Sequence, residues 1–101
     1  MNAKGEKVYR LLLKVPKGKV TTYGAVARAL GSKSLARFVG TCMRKNSHPE
    51  TFPCYKVVRS DGRVGEYTHP LGAGEKIRRL ERDGVRVENG RIDLKEFLYE
   101  F

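Results

Sequence analysis

Cys54 is the residue in this sequence with the clearest capacity for chemistry. It follows Pro53 and is itself followed, within five positions, by the cations Lys56 and Arg59. The thiolate is the nucleophilic form of cysteine and neighbouring cations favour it, so Cys54 is a candidate nucleophile. Free cysteine is also among the residue types most often buried, and residue type alone favours an inert core position. The residues around Cys54 must therefore decide between these two roles.

The cysteine count argues against a disulfide framework and against a metal site. Cys42 and Cys54 have eleven residues between them, which fits no CxxC pair. Cys42 lies within an amphipathic pattern and is predicted to be an inert core residue. The two histidines, His48 and His69, have no partner at a metal-ligand spacing. We therefore predict two reduced cysteines and no metal.

Positive charge is concentrated in the first part of the chain. The sequence holds 21 Lys and Arg against 11 Asp and Glu, a net charge of +10. Residues 1–60 carry 13 of these cations against 2 acids, a charge of +11, whereas residues 61–101 carry 8 against 9, a charge of −1. A surface that was merely rich in ions would be balanced in sign. This polarity indicates a face that binds a polyanion, with nucleic acid favoured over a membrane.

Length and hydropathy limit the class of protein further. A chain of 101 residues has the size of one domain with a single core. It contains no apolar run near the roughly 20 residues of a membrane span, and residues 1–7 lack the apolar stretch of a signal peptide. We predict a single domain over residues 1–101. We expect a soluble protein that is cytoplasmic and nucleoid-associated, or nuclear in a eukaryote.

Hydrophobic periodicity predicts three helices in the basic half of the chain. The first covers residues 5–15. The second begins after Thr22, a suitable N-cap, and Gly31 closes it. The third is capped by Ser32 or Ser34 and runs from Leu35 to Arg44 or Lys45.

The second and third helices form a pattern typical of a helix-turn-helix. The third helix places Arg37, Arg44 and Lys45 outward, on the side that would face a groove. Its small residues Ala36 and Gly40 would let it approach a narrow surface closely. Together with the charge polarity, this pattern predicts that the third helix binds DNA.

The second half of the chain combines short strands, turns and helices. A buried strand is predicted over residues 54–58 and a turn at residues 60–62. A glycine-containing loop then extends to Gly74 and leads into a helix over residues 75–83. The Asn89-Gly90 pair predicts a hairpin, and Asp93 is the expected cap of a terminal helix from Leu94 to Phe101. The predicted fold class is mainly α with short β elements (α+β).

Several motifs carry a family resemblance when they are taken together and in order. They are Thr22-Tyr23-Gly24, Ala36-Arg37-x-Val39-Gly40-x-x-Met43-Arg44, Asn46, Pro53-Cys54-Tyr55-Lys56-Val57-Val58 and Gly62-x-Val64-Gly65-x-Tyr67. In these motifs the sequence resembles the O6-alkylguanine-DNA alkyltransferases, or methylated-DNA–protein-cysteine methyltransferases. The resemblance covers residues 8–98. It corresponds to the C-terminal, winged-helix-like domain of that family, and the usual N-terminal domain is expected to be absent.

The resemblance implies single-turnover repair of duplex DNA. Members of the family flip out a guanine alkylated at O6 and transfer the alkyl group irreversibly to their own cysteine, without a cofactor. Cys54 matches that acceptor. Asn46 matches the asparagine that ties the recognition helix to the active-site turn. The implied partner is double-stranded DNA containing O6-alkylguanine, bound by a monomer, and a fused or separate repair partner stays open.

The resemblance also assigns the residues that contact DNA and the base. Tyr23 matches the tyrosine that rotates the nucleotide, and Arg37 matches the finger that replaces the lost guanine in the stack. Binding through the minor groove would use the small residues Ala36 and Gly40. Thr22 and Arg44 complete the predicted DNA-binding set. The predicted base pocket consists of Tyr23, Met43, Val57, Tyr67 and Thr68, with the carbonyls of Cys54 and Val57 facing the exocyclic amine and the Thr68 amide facing O6.

The sequence departs from the family at the residue after the cysteine. The family motif is Pro-Cys-His-Arg, and a glutamate holds the histidine that takes the thiol proton; Tyr55 and Asp83 occupy those positions here. An ordinary tyrosine, with a pKa near 10, accepts a proton less readily than a histidine with a pKa near 6.5. We expect the Tyr55 hydroxyl to keep a hydrogen-bonded relay toward Asp83 or Glu81. Lys56 and helix dipoles are expected to favour the thiolate.

Two other functions compete with alkyl transfer. The first is a non-enzymatic damage sensor resembling the alkyltransferase-like proteins, which keep the scaffold, replace the cysteine, commonly by tryptophan, and signal to excision repair. The short length and the missing histidine favour the sensor, whereas Cys54 favours the transferase. The second is a plain helix-turn-helix regulator, which would have no use for Cys54 or for the pair Tyr23 and Arg37 and therefore ranks last.

Overall fold

The computed structural model describes residues 3–48, 50–65 and 72–101. Its five α-helices and two strands are α1 (Ala3–Lys14), β1 (Thr21–Thr22), α2 (Tyr23–Ala29), α3 (Ala36–Arg44), β2 (Val57–Val58), α4 (Gly72–Arg82) and α5 (Leu94–Phe97). Single 3-10 turns precede α3, at Lys33–Leu35, and β2, at Cys54–Lys56. The predicted class, α+β with a helix-turn-helix, is confirmed. No helix within the described residues is long and apolar enough to span a membrane.

The helix-turn-helix forms where the caps predict it. The Thr22 hydroxyl accepts a hydrogen bond from the Ala25 amide at 3.0 Å and so starts α2. Gly31 takes a φ of +119° between the helices, a conformation that glycine adopts without strain. Ser32 caps the 3-10 turn, and α3 begins at Ala36, one residue later than predicted. The first helix also differs slightly from the predicted range of residues 5–15: it begins at Ala3 and ends at Lys14.

The core consists of two clusters of buried side chains. The first lies among the three N-terminal helices, with Val8 and Leu12 of α1 against Val39 and Cys42 of α3. The second lies mainly in the C-terminal half, where it includes Leu80, Val85, Ile92 and Phe97. Val20 joins it from the N-terminal half. The segment 54–58 joins them, because Cys54 and Val57 belong to the first cluster while Tyr55 and Val58 belong to the second.

A short parallel pairing fixes this joint to the start of α2. Thr21 pairs with Val57 and Thr22 pairs with Val58. Since α2 begins at Tyr23, the pairing places that residue one position beyond the end of the ladder. The pairing therefore fixes the position of Tyr23, the first residue of the helix-turn-helix, relative to the segment that follows Cys54.

Three predictions for the second half of the chain are wrong in their boundaries. The strand covers only Val57–Val58, because residues 54–56 form a 3-10 turn whose Val57 amide donates to the Cys54 carbonyl. Helix α4 begins at Gly72, so the loop does not extend to Gly74. Helix α5 ends at Phe97, because the Tyr99 amide donates to the Val20 carbonyl at 2.8 Å and draws the chain into an extended path.

The predicted Asn89-Gly90 turn is present, but the hairpin around it is minimal. Asn89 and Gly90 both have positive φ, 52° and 73°, as a type I′ turn requires. The pairing beside them is the single bridge between Glu88 and Arg91. Arg91 also bridges to Arg63, so the turn packs on the chain near Gly62 instead of extending into two strands.

Candidate active site

Cys54 begins the 3-10 turn and is 6% exposed. Its amide donates to the Phe52 carbonyl at 2.8 Å. The side-chain amide of Asn46 donates to the same carbonyl, also at 2.8 Å. Asn46 lies two residues after the end of α3, so a single carbonyl oxygen joins the recognition helix to the backbone of Cys54. The structure thus brings Asn46 and the backbone of Cys54 to one shared carbonyl, and the roles that the resemblance implies for the two residues stay predictions.

The loop that carries this tie is held against α1. The rings of Tyr9 and Phe52 stack with centroids 5.0 Å apart. The Tyr9 hydroxyl donates to the Cys42 carbonyl at 2.7 Å, which connects α1 to the last turns of α3. Cys42 is buried in the first core cluster, which confirms the core position predicted for it, and this burial raises the pKa of its thiol. Cys42 supports the site and has no direct place in it.

Tyr55 points away from the first core cluster and binds Asp83. Its hydroxyl donates to Asp83 Oδ2 at 2.5 Å. Burial, followed by the hydrogen bond to Asp83, raises the pKa of Tyr55 to about 12. Glu81, the other acid considered from the sequence, is exposed and does not contact this hydroxyl. Tyr55 is therefore a neutral hydrogen-bond donor whose proton points at Asp83.

Lys56 is buried beside the Tyr55 ring. Its ammonium donates to the Val15 carbonyl, just beyond the end of α1, at 2.8 Å, and lies 6.0 Å from the ring centroid of Tyr55. Burial lowers the pKa of Lys56, and the charge of Asp83 opposes that effect. The Lys56 charge is thus directed at the end of α1 and the Tyr55–Asp83 pair.

A second buried lysine fixes the strand after the active-site turn. The Lys76 ammonium donates to the Val57 carbonyl at 2.7 Å, and the side chain is 1% exposed. A carbonyl oxygen has two lone pairs, and the bond from Lys76 occupies one of them. Tyr67 and Thr68, the other predicted members of this wall, lie outside the described residues.

The outer face of α3 is open and basic. Arg37 is exposed and forms no ion pair within the described residues. Arg44 donates to the Thr41 hydroxyl at 3.1 Å, and that hydroxyl donates to the Arg37 carbonyl at 3.2 Å. Among the described residues, a Cβ added to Gly40 would meet only the Arg44 guanidinium, at 3.6 Å, so none of their bulky groups covers this part of the helix. Among the predicted site residues on α3, Met43 is buried in the first core cluster and Ala36 is half-buried.

Sequence reasoning missed an ionic network that joins α4 to the loop before Cys54. Buried Glu75 accepts from Arg79 at 2.8 Å and from Arg78 at 2.6 Å. Hydrogen bonds from Arg78 and then Arg79 lower the pKa of Glu75 to about 2. Arg79 also reaches Glu50 at 3.1 Å. The spacing of Glu75 and Arg79 on a helix could have predicted their pair, whereas no sequence signal indicates the partner Glu50.

Comparison with known protein families identifies the scaffold. Residues 4–85 match the family model described as "6-O-methylguanine DNA methyltransferase, DNA binding domain". A bifunctional methyltransferase/endonuclease of Thermoplasma volcanium is 53% identical over 85 residues, which are 84% of this chain and 26% of that protein. The chain thus spans about a quarter of the length of that relative.

Other relatives match the chain over nearly its whole length. Alkyltransferase-like protein 1 of Schizosaccharomyces pombe is 36% identical over 93% of this chain and 92% of its own. A crystal structure of S. pombe Atl1 in complex with damaged DNA containing O6-carboxymethylguanine superposes with a TM-score of 0.84 at 35% identity, covering 100% of this chain and 98% of that one.

Proposed function

Because the chain belongs to the DNA-binding-domain family of the 6-O-methylguanine DNA methyltransferases, we propose that it binds duplex DNA containing O6-alkylguanine and takes the alkyl group onto Cys54. The observation that carries this proposal is the shared contact at Phe52. Asn46 and Cys54 both donate to that one carbonyl at 2.8 Å. The backbone of Cys54 is thereby linked to the residue Asn46, just after the end of α3, whose outer face is basic and open.

The DNA face is the exposed side of α3. Arg37, with its flat guanidinium free of acid partners within the described residues, is suited to fill the place of a flipped guanine. Ala36 and Gly40 leave room for the sugar edges of a minor groove. Tyr23 stands at the start of α2, in register with the segment that follows Cys54, and is the residue that rotates the nucleotide toward the thiol.

Tyr55 relays the thiol proton. The Cys54 proton moves to the Tyr55 oxygen through intervening water, as the Tyr55 proton moves to Asp83 Oδ2. The thiolate then attacks the alkyl carbon in line with the C–O6 bond, which breaks and leaves its electron pair on guanine. Tyr23 donates a hydrogen bond to the base, and guanine takes up a proton from water. The product is an S-alkylcysteine, so each molecule acts once.

The relay is weaker than one built on histidine. A histidine accepts the proton and stays positive beside the thiolate, whereas Tyr55 passes the proton on and stays neutral. With a pKa of about 12, Tyr55 is protonated at neutral pH, so its phenolate form is not the base that takes the thiol proton. Transfer is therefore slow relative to binding, and the lesion complex persists for longer than it would with a histidine relay.

A second candidate function, lesion recognition without transfer, is supported by the same hydrogen bond. Tyr55 donates to Asp83 and, unlike a protonated histidine, carries no positive charge of its own to stabilise a thiolate. The similarity in sequence and fold to proteins named alkyltransferase-like protein 1 and Atl1 also favours this candidate. In it Cys54 would be a wall of the pocket, and the lesion would be held for another repair factor.

The mass of the intact protein separates the two candidates. The protein is mixed with a duplex carrying one O6-methylguanine, and the products are mapped by peptide mass spectrometry. A gain of one methylene on Cys54, abolished in Cys54→Ala, supports transfer. Unchanged mass with preferential binding of the damaged duplex supports the sensor and overturns transfer. Cys42→Ala is the matched control and should be methylated at Cys54 like the wild type.

A further inference from the structure

Helix α1 carries a line of cations that the proposed function leaves unused. Lys7, Arg10 and Lys14 follow one another at spacings of three and four residues, which places them on one face of the helix. We call these three residues the α1 basic face. All three side chains are exposed, and none forms an ion pair within the described residues. Lys17, also exposed, continues the line beyond the end of the helix.

The α1 basic face and the outer face of α3 point in different directions. Helix α1 turns Val8 and Leu12 toward the first core cluster, to which α3 contributes Val39 and Cys42. Each helix thus places its apolar side on the shared core and its cations on the opposite side.

The chemistry of the α1 basic face fits a phosphate backbone. It consists of three long flexible cations, which match the phosphate oxygens in charge and in reach. With a rise of about 1.5 Å per residue, Lys7 and Lys14 lie about 10 Å apart along the helix. That distance corresponds to about three base-pair steps of roughly 3.4 Å each. The contacts would be electrostatic and independent of sequence.

We propose that the α1 basic face binds the backbone of a second DNA segment while α3 holds the damaged one, so that a single molecule bridges two duplexes. The inference rests on the proposed function in one respect only, which is that α3 is the face that binds the lesion. Bridging needs no second copy of the protein, because both faces belong to one chain.

A capture experiment tests the bridge. An immobilised duplex with one O6-methylguanine is loaded with protein, washed, and offered a fluorescent undamaged duplex. Wild type should capture the second duplex, and the triple variant K7Q/R10Q/K14Q should capture at least tenfold less while binding the immobilised duplex within threefold of wild type. The variant R63Q/R91Q/K95Q removes the same charge from exposed positions in the C-terminal half and should capture normally.

A binding titration distinguishes failure of the bridge from failure of the proposed function. In an R37Q/R44Q background, binding of undamaged duplex should depend on the α1 basic face, and the slope of log affinity against log salt should fall by about 2.7 when its three cations are removed. Wild type that binds the lesion but captures no second duplex overturns the bridge alone. So does capture that the triple variant leaves unchanged. If the triple variant weakens lesion binding as much as capture, both faces contact one duplex and the bridge is overturned.

Discussion

The hydroxyl of Tyr55, the residue after Cys54, donates a hydrogen bond of 2.5 Å to the carboxylate of Asp83. The two residues are 28 positions apart, and the bond joins the active-site turn to the residue after α4. It gives Tyr55 a fixed direction of proton donation. It also settles the choice between two acids, since Asp83 makes the contact and Glu81 lies in solvent.

Two different substitutions at Tyr55 should change the rate of alkyl transfer in opposite directions. Tyr55→Phe removes the relay and should slow transfer on the order of a hundredfold, whereas Tyr55→His supplies a proton acceptor beside Asp83 and should accelerate it. Single-turnover transfer from a methylated duplex measures both. Tyr99→Phe, which removes a hydroxyl remote from Cys54, is the control. Transfer by Tyr55→Phe at the wild-type rate would exclude the relay.

The raised pKa of Tyr55 predicts a loss of stability in alkali. The folded-state pKa of about 12 exceeds the ordinary value of 10, so the neutral form is favoured by folding. The contribution is complete below pH 10 and is lost as the pH rises from 10 through 12. Urea unfolding across this window should show a steeper loss for wild type than for Tyr55→Phe. Parallel curves for the two proteins would contradict the assignment.

Asn46→Asp should disturb the positioning of Cys54 more than it weakens binding to the damaged duplex. The substituted side chain still accepts from the His48 amide, as Asn46 does at 3.0 Å, but it cannot donate to the Phe52 carbonyl. Loss of that bond should cost about 1 kcal/mol of unfolding free energy. Transfer to Cys54 should slow by more than affinity for the damaged duplex falls. Equal losses of rate and affinity would mean that Asn46 serves the DNA face alone.

Arg37→Ala should weaken recognition of the lesion more than general binding to DNA. The side chain has no acid partner within the described residues, so truncation disturbs no ion pair there. Competition between damaged and undamaged duplexes measures the ratio, which should fall at least tenfold. Arg63→Ala, also an exposed arginine but paired with Asp61, should leave the ratio unchanged. If both affinities fell together, Arg37 would be a phosphate contact.

The sequence predicted most of what is local in this structure. Thr22 as a cap, Gly31 as a helix end and the Asn89-Gly90 turn all depend on short-range backbone preferences, and the structure confirms them. The predictions that were wrong depend on distant partners. Nothing within residues 94–101 indicates that the Val20 carbonyl will bind the Tyr99 amide and end α5 at Phe97.

The candidate site shows the same division. Cys54, Asn46 and the acid at position 83 could be named from motifs, but their mutual geometry depends on tertiary contacts. Lys56 illustrates the difference, since the sequence suggested support for the thiolate and the structure directs its ammonium to the Val15 carbonyl. The Glu50–Arg79 contact has no local signal at all, because an exposed loop residue meets a buried arginine 29 positions away.

The junction at residues 54–58 has a consequence for how the domain unfolds. One peptide bond carries the chain from Cys54, in the first core cluster, to Tyr55, in the second. Under the proposed relay, local opening of either cluster would separate the Cys54 thiol from Tyr55, so we expect partly folded forms to lose reactivity toward the lesion. The two clusters are therefore expected to melt as one cooperative unit, and reactivity toward the lesion becomes a property of the fully folded population.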